Sequence, residues 1–288
     1  MIFHYHIAEL KPYINWVYFY HAWQLQQPAE QQRIREEAES FLDACDGRYQ
    51  GHALFCLFDA YSEGDDVVII RGERREERGE RIEVRLPFLR QQQAGSDYLC
   101  LADFIAPKDI ALSSLYFPLS TLLTPLSSKI ALFATSVDDA MVSDYADDPY
   151  NRMMAQLLAD RLAEAAAERL HEVVRKEIWG YAKDEQLTIP EMLQERFQGI
   201  RPAVGYPSLP DASMNFVIDN LLQFSQIGIT LTESGAMRPH ASVSGLMISH
   251  PEARYFTVGK IGEDQLVDYA RRRQLPVDTV RKFLSANL

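Results

Sequence analysis

Long apolar runs are missing from this sequence of 288 residues. No segment reaches the roughly 18 consecutive apolar residues of a membrane-spanning helix, so we expect no contact with a membrane. The opening residues 1–6 lack the basic region and cleavage site of a secretory signal. The three cysteines, Cys45, Cys56 and Cys100, have neither disulfide nor metal-ligand spacing, which predicts buried thiols in a reducing compartment. Together these features predict a cytoplasmic protein.

An excess of positive charge is also missing. The chain has 29 Lys and Arg against 41 Asp and Glu, for a net charge of −12. This balance argues against a nucleic-acid partner. No Gly-x-Gly-x-x-Gly motif follows a predicted strand, which excludes a Rossmann-type methyltransferase site. None of the seven histidines has a metal-spaced mate, so we expect no metal site.

The patterns that are present predict an α+β fold, because helical and strand-like segments alternate irregularly. The segment 62–66 has turn composition between two apolar runs and predicts a hairpin. The charged residues 71–81 are typical of a solvated hairpin tip, and we expect the acids Asp65 and Asp66 to face water. Short strands over 229–259 indicate an antiparallel meander. Helices are predicted at 28–46, 149–178, 188–197, 213–224, 263–273 and 277–285, and strands at 52–60, 67–70, 82–86, 98–104, 129–135, 229–231, 242–248 and 255–258.

The segment 199–211 is the most distinctive stretch of the chain. Its three prolines and two glycines cannot continue a helix or a central strand, so it must form a stiff loop. Arg201 contributes a cation and Tyr206 a ring with a hydroxyl, while Gly205 permits close approach of a ligand. Such a loop suits a small ligand that carries a carboxylate and a flat or cationic part. A rigid connector between two segments is the alternative interpretation.

Two acids on the long predicted helix form a second candidate. Asp160 and Glu164 are one turn apart and project from the same side of the helix. A pair of carboxylates can serve acid–base chemistry. Acids at this spacing are equally typical of an exposed helix face. The residues alone leave both interpretations open.

Several ordered motifs give the chain a specific resemblance. The loop sequence Arg-Pro-Ala-x-Gly-Tyr-Pro, residues 201–207, resembles the signature loop of the S-adenosylmethionine-binding activation domain of cobalamin-dependent methionine synthase. The resemblance extends over the whole chain and is strongest over 145–288. Further motifs that carry it are 12–16, 89–92, 101–108, 158–165, 179–182, 241–245, 249–251, 268–272 and 287–288.

The resemblance implies a fold and a domain organisation. It implies one C-shaped α+β domain over 1–288, in which several helices flank a twisted antiparallel sheet (a β-meander). Within it we expect an N-terminal subregion, 1–145, and a subregion that carries the loop, 146–288. Met1 and the family-like C-terminus favour a natural stand-alone chain. The resemblance covers no homocysteine, folate or cobalamin region, so we expect either a fragment or a subunit that acts in trans on a separately encoded corrinoid protein.

The resemblance also implies the residues of the site. The family has an Asp at the position of Asn15 that holds the ligand's ammonium group, and an amide oxygen still accepts such a hydrogen bond without charge assistance. Phe256 keeps the ring of a family tyrosine and loses its hydroxyl. Asp160 and Glu164 are implied to dock the cobalamin-binding partner, and no residue is implied to be a nucleophile or proton shuttle. The implied S-adenosylmethionine contacts are Arg201, Ala203, Gly205, Tyr206, Asn15, Tyr255, Phe256 and Glu195.

The function implied by the resemblance is the reactivation of methionine synthase. The chain would bind S-adenosylmethionine and present its methyl group to cobalamin carried by a methionine synthase subunit or another corrinoid protein. Flavodoxin or another reductant would supply the electron that converts cob(II)alamin to cob(I)alamin. The alternative is a non-catalytic relative that keeps the fold and docks a cobalamin-domain partner without productive ligand binding. The replacement of the family Asp by Asn15 supports this alternative.

Overall fold

The computed structural model describes residues 1–71, 82–111 and 128–288. Most of the predicted charged hairpin tip, 72–81, and the Ser- and Pro-containing region 112–127 lie outside the described residues. The chain divides into two compact units. Unit 1 comprises Met1–Phe55, Phe133–Phe197 and Leu222–Ser244, and unit 2 comprises Cys56–Leu132, Gln198–Leu221 and Gly245–Leu288.

A single sheet contains most of the strands. Its order is β4-β3-β2-β5-β8, and β1 pairs with β2 beside this path. The pairs β1–β2, β2–β3 and β3–β4 are antiparallel. This arrangement confirms the predicted α+β class with an antiparallel sheet. The strands are β1 Ile2–His6, β2 Gln50–Glu63, β3 Asp66–Arg71, β4 Ile82–Pro87, β5 Lys129–Val137 and β8 Ser242–Met247, and β6 Thr230–Leu231 pairs with β7 Met237–Arg238 in a separate sheet.

Unit 1 is mainly helical. Its longest helix starts where the sequence predicts, because Pro149 occupies the first turn and Asp148 accepts a hydrogen bond from the Asn151 amide at 3.1 Å. Small and aliphatic side chains fill its buried face. A π-helical turn, Val174–Ile178, continues this helix. The helices are α1 Ile7–Leu10, α2 Trp16–Ala22, α3 Pro28–Cys45, α4 Ala140–Ser143, α5 Pro149–Val173 and α6 Ile189–Leu193.

Unit 2 contains β3, β4, the part of β2 from residue 56 onward and three helices, α7 Met214–Leu222, α8 Glu263–Arg273 and α9 Val277–Phe283. Residue 222, the last of α7, is assigned to unit 1. The register places Glu63 opposite Asp66 across the first turn, so the predicted hairpin is confirmed. One buried cluster joins α8 and α9 to neighbouring loops. Its members are Leu89, Val258, Ile261, Leu266, Tyr269, Ala270, Val280 and Leu284.

Two predicted strands are wrong. Residues 98–104 contain only an isolated bridge between Cys100 and Arg90, followed by a 3-10 helix, Leu101–Phe104. The Asp103 carboxylate accepts the Cys100 amide at 2.8 Å and caps the start of this helix. Residues 255–258 belong to no strand. Phe256 pairs with a serine side chain instead of a backbone partner, so no ladder propagates.

Three other predictions need correction. The helix predicted at 188–197 ends at Leu193, and Glu195 has a left-handed φ of 58°. The apolar pattern of the helix predicted at 213–224 includes Phe216 among its buried residues. Phe216 on α7 is 41% exposed instead, because Ile218 and Leu222 form the buried side of that helix. The meander predicted over 229–259 is divided between the two sheets, since β8 joins the large one and β6 does not.

The pair Asp65 and Asp66 was expected to face water, and the structure contradicts this for Asp66. Asp66 is 4% exposed and accepts hydrogen bonds from Arg272 at 2.6 Å and Arg85 at 3.3 Å. Asp65 binds Arg90 at 2.6 Å. The strand pattern could not predict this, because both arginines that neutralise Asp66 approach from elsewhere in the chain.

Among the helices that the structure describes, none has the length and apolar composition of a membrane-spanning segment. In the same described ranges, no three His, Cys, Asp or Glu side chains converge in a way that could hold a metal ion.

Candidate functional site

The first half of the loop 199–211 is an extended segment that is hydrogen-bonded along the end of β8. Ile200 and Ile248 exchange both backbone hydrogen bonds, at 2.9 and 3.0 Å. The Leu246 amide donates to the Pro202 carbonyl at 3.0 Å, and Ala203 pairs with Gly245. Proline lacks an amide hydrogen, but its carbonyl remains available to the neighbouring strand. The loop therefore leaves the sheet in a fixed direction.

The second half of the loop is a tight turn. The Gly205 amide donates to Leu209 O at 2.8 Å, and the Leu209 amide donates to Tyr206 O at 2.8 Å. Gly205 has a φ of 87°, a left-handed conformation that strains any residue with a side chain. A Cβ atom at Gly205 would meet nothing within 4 Å, so the space beside this backbone is open. The turn thus exposes main chain on one side.

A second segment, residues 255–258, lies against the loop and is bound to it. The Arg201 amide donates to the Tyr255 hydroxyl at 2.9 Å. Ser208 Oγ donates to Phe256 O at 2.5 Å and accepts from the Phe256 amide at 3.2 Å. The Val258 amide donates to Pro207 O at 2.9 Å. These four bonds bring the predicted site residues Arg201, Tyr255 and Phe256 into one arrangement.

Burial differs sharply between the two sides of the loop. Ile200, Leu209 and Asp211 are at most 3% exposed, whereas the Tyr206 ring is 52% exposed. A half-exposed aromatic ring on a rigid backbone offers a surface for a flat or cationic group. The guanidinium of Arg201 is the loop's source of positive charge for a carboxylate. Neither side chain is a nucleophile, so the chemistry of this arrangement suits the binding and orientation of a ligand.

Two of the predicted contact residues belong to unit 1. Asn15 is the N-cap of α2, and its side-chain oxygen accepts a hydrogen bond from the Val17 amide at 3.2 Å. An amide oxygen has two lone pairs, so this cap leaves it capacity for one further donor. Glu195 follows α6, where its amide donates to Met192 O at 2.9 Å. Its left-handed backbone directs the chain out of the helix.

The predicted docking acids also lie in unit 1, on α5, and both are engaged. Asp160 Oδ1 is 3.0 Å from His240 Nδ1 and accepts a hydrogen bond from Gln156 Nε2 at 3.2 Å. Glu164 forms an ion pair with Arg161 at 2.9 Å. Their side chains are 18% and 31% exposed. The docking role of these two acids stays a prediction.

Two residues that hold the loop were not identified from the sequence. The Ser208 hydroxyl bonds the Phe256 backbone, where a strand would have used backbone–backbone hydrogen bonds. The Asp211 carboxylate accepts hydrogen bonds from the Ser213 amide at 2.8 Å and from the Tyr269 hydroxyl at 2.8 Å. An Asp before the start of a helix is typical of an Asx-turn, in which its carboxylate accepts the amide two residues on, and this signal could have identified Asp211. No local signal could have paired Ser208 with a residue 48 positions away.

The α+β fold and the rigid loop with its half-exposed ring define a domain with a candidate ligand-binding surface, and comparison with known proteins gives its family. Residues 6–274 match the family model described as vitamin B12 dependent methionine synthase, activation domain. The chain belongs to this family. It is also similar, at 37% identity and a TM-score of 0.83, to a crystal structure of the MetH reactivation domain bound to AdoHcy. That similarity covers 100% of this chain and 90% of the other.

Proposed function

We propose that this protein binds S-adenosylmethionine and presents its methyl group for the reductive methylation of cobalamin on a partner methionine synthase. The observation that carries the proposal is the loop 199–211, held rigidly by backbone bonds while its Gly205 side stays open. The chain aligns along its whole length with a reactivation domain solved with AdoHcy, the product left when S-adenosylmethionine gives up its methyl group. The open side of the loop fits a ligand of that kind.

In the proposed site, different residues contact different parts of the ligand. Arg201 binds the carboxylate through a charge-assisted hydrogen bond. The oxygen of Asn15 accepts from the ammonium group, and Glu195 adds negative charge near the ligand. Main-chain atoms of Ala203 and Gly205 hydrogen-bond the ligand. The rings of Tyr206, Tyr255 and Phe256 contact its flat and cationic parts.

Catalysis by this chain would consist of positioning. S-adenosylmethionine supplies an activated methyl group on a sulfonium, and this chain contributes no nucleophile. The rigid loop limits the orientations in which the ligand is held, which lowers the entropic cost of reaction with a partner's cobalt. The two-sided fixation of the loop by β8 and by 255–258 serves this purpose.

Partners follow from the same proposal. The acceptor cobalamin is carried by a cobalamin-binding methionine synthase subunit or another corrinoid protein, which docks on the α5 face that includes Asp160 and Glu164. Flavodoxin or another reductant supplies the electron. The whole chain, 1–288, acts as one activation domain in the cytoplasm, without a nucleic-acid or membrane partner.

The first test is a calorimetric titration of the full chain with S-adenosylmethionine and with S-adenosylhomocysteine. Parent, Arg201→Ala and Asn15→Asp proteins are compared. We expect saturable binding in the parent and about tenfold to hundredfold weaker binding in Arg201→Ala, since a hydrogen bond to a charged group is lost. Asn15→Asp should bind S-adenosylmethionine more tightly, because a carboxylate adds charge assistance.

The matched control is Arg254→Ala. Arg254 is also a unit 2 arginine, 56% exposed in its side chain, and pairs with Asp97 at 2.5 Å. Its removal should leave both titrations unchanged. No heat in the parent at millimolar ligand would overturn the proposal and favour the non-catalytic alternative. An equal loss of ligand affinity in Arg201→Ala and Arg254→Ala would overturn the assignment of Arg201 as the residue that binds the ligand carboxylate.

A further inference from the structure

Helix α8 carries a tyrosine whose hydroxyl is buried against the end of the ligand loop. Tyr269 is 1% exposed, and its hydroxyl donates to Asp211 Oδ2 at 2.8 Å. Burial, reinforced by the charge of Asp211, holds the pKa of Tyr269 well above its ordinary value. The hydroxyl therefore stays protonated and remains a donor at every physiological pH.

Asp211 connects this hydroxyl to the chain that leaves the loop. Its Oδ1 accepts the Ser213 amide at 2.8 Å, immediately before α7. Arg273, one turn after Tyr269 on α8, reaches the same place. Its Nη2 donates to Ser213 Oγ at 2.7 Å, and its Nη1 lies 2.9 Å from Met214 Sδ. Helix α8 thus contacts three residues at the exit of the loop, Asp211, Ser213 and Met214.

We propose that Tyr269 and Arg273 are positioning residues that fix the exit of the ligand loop through Asp211 and Ser213. The entrance of the loop is fixed by backbone bonds to the end of β8. With both ends fixed, Arg201 and Tyr206 have little conformational freedom left to lose on binding, which raises affinity. The identity of the ligand rests on the proposed function, whereas the fixation of the loop does not.

The chemistry of this cluster supports a positioning role over simple packing. The ring of Tyr269 already belongs to the apolar cluster between α8 and α9, and a phenylalanine would fill that volume. Burying charged groups is costly, and replacing a whole buried ion-paired cluster by apolar side chains is often neutral or stabilising, whereas removing one member alone is destabilising. A cluster of a buried acid, a hydroxyl and a guanidinium adds little net stability. It does fix the direction of the chain.

The first test uses Tyr269→Phe and amide hydrogen exchange of the ligand-free protein. This variant keeps the ring and removes one hydrogen bond to a buried charge, which should speed exchange of peptides covering 199–211 about tenfold. The matched control is Tyr61→Phe. Tyr61 is also 1% exposed in unit 2, and its hydroxyl donates to Glu83 at 3.1 Å, a residue outside the loop. The control should leave exchange in the loop unchanged.

The second test measures affinity and thermal unfolding of the same proteins. Both variants should lose some thermal stability, but only Tyr269→Phe should weaken S-adenosylhomocysteine binding, by about tenfold. Ser213→Ala, which removes the Oγ that receives Arg273, should weaken binding in the same direction. This milder change keeps the test decisive if Tyr269→Phe folds poorly.

The outcomes separate the inference from the proposed function. If Tyr269→Phe leaves the amide hydrogen exchange of 199–211 unchanged, the positioning role is overturned regardless of the ligand affinity. Equal affinities of Tyr269→Phe and Tyr61→Phe overturn it as well. A parent that binds no ligand, combined with faster loop exchange in Tyr269→Phe alone, overturns the proposed function and supports the fixation of the loop.

Discussion

Each unit buries an arginine against a carboxylate, and the two pairs are built differently. In unit 1, Arg175 lies in the π-helical turn and binds Glu185 through two nitrogens, at 2.6 and 2.9 Å. The side chains are 0% and 7% exposed, and the guanidinium lies 4.4 Å from the centre of the Phe197 ring. Nearly all of the charge of Glu185 is therefore matched by one partner.

In unit 2 the charge of Asp211 is shared among several groups. Arg273 Nε lies 3.6 Å from Asp211 Oδ2, an ion-pair distance too long for a hydrogen bond. The shorter contacts of Asp211 go to the Tyr269 hydroxyl and the Ser213 amide. A bidentate ion pair such as Arg175–Glu185 therefore provides its stabilisation through one contact. A shared carboxylate distributes it and orients a chain segment from several directions.

The largest expected effect is at the bidentate pair. Glu185→Ala should lower the free energy of unfolding by about 4 kcal/mol, because it leaves Arg175 buried without a counter-charge. Denaturant unfolding measures this loss. Glu39→Ala is the control in the same unit, because the Arg35–Glu39 pair is exposed at 43% and 36% and should contribute about 0.5 kcal/mol or less. A loss below about 1 kcal/mol in Glu185→Ala would contradict the first half of the comparison.

An intermediate effect is expected at the shared carboxylate. Asp211→Asn should cost about 2 kcal/mol, because the amide still accepts hydrogen bonds and Arg273 keeps its contacts with Ser213. The same unfolding experiment measures it, with the exposed Asp97→Asn as control. If Asp211→Asn cost as much as Glu185→Ala, Arg273 would depend on Asp211 alone and the distinction between the two pairs would fail.

The smallest effect concerns Glu172, a carboxylate of α5 whose side chain is 14% exposed. Burial raises its pKa, but hydrogen bonds donated by Tyr13, at 2.6 Å, and by Lys176 outweigh this, so the pKa lies below the ordinary value. The stabilisation is present above the unfolded pKa of about 4.3 and is lost as pH falls through the lowered folded pKa. The free energy of unfolding should therefore decrease as the pH falls below about 4.3.

Glu172→Gln tests the acid-dependent contribution. The variant cannot titrate, so the difference in unfolding free energy between parent and Glu172→Gln should shrink between about pH 5 and pH 3. Urea unfolding across this range measures the difference. A difference that stays constant with pH would show that Glu172 contributes by packing and not by charge.

Local sequence signals predicted most elements correctly. The helix predicted from residue 149 does begin at Pro149, and the turn composition of 62–66 identified the β2–β3 hairpin. The two wrong strand predictions have one cause. Asp103 accepts the Cys100 amide at the start of a 3-10 helix, and Ser208 binds both polar backbone atoms of Phe256, so side chains took the hydrogen bonds that a strand would have used. Strand patterns cannot report such substitutions.

The site could be predicted only in part. The prolines and glycines of 199–211 identified a stiff loop, and Arg201 and Tyr206 are on it. The alignment of the loop with β8 and with Tyr255 was not predictable, because these contacts join residues more than 40 positions apart. The contacts of Asn15, Glu195, Asp160 and Glu164 with a ligand or a partner stay predictions.

The sequence by itself determined the positions of helices and hairpin, the stiffness of the loop and the family, because these depend on local pattern and on ordered motifs. Only the tertiary structure decided which side of the loop is open and which is buried. It also decided that Asp66 is buried between two arginines and that Tyr269 reaches Asp211. The physical reason is that burial and charge pairing arise from segments distant in the chain, whose approach no local pattern encodes.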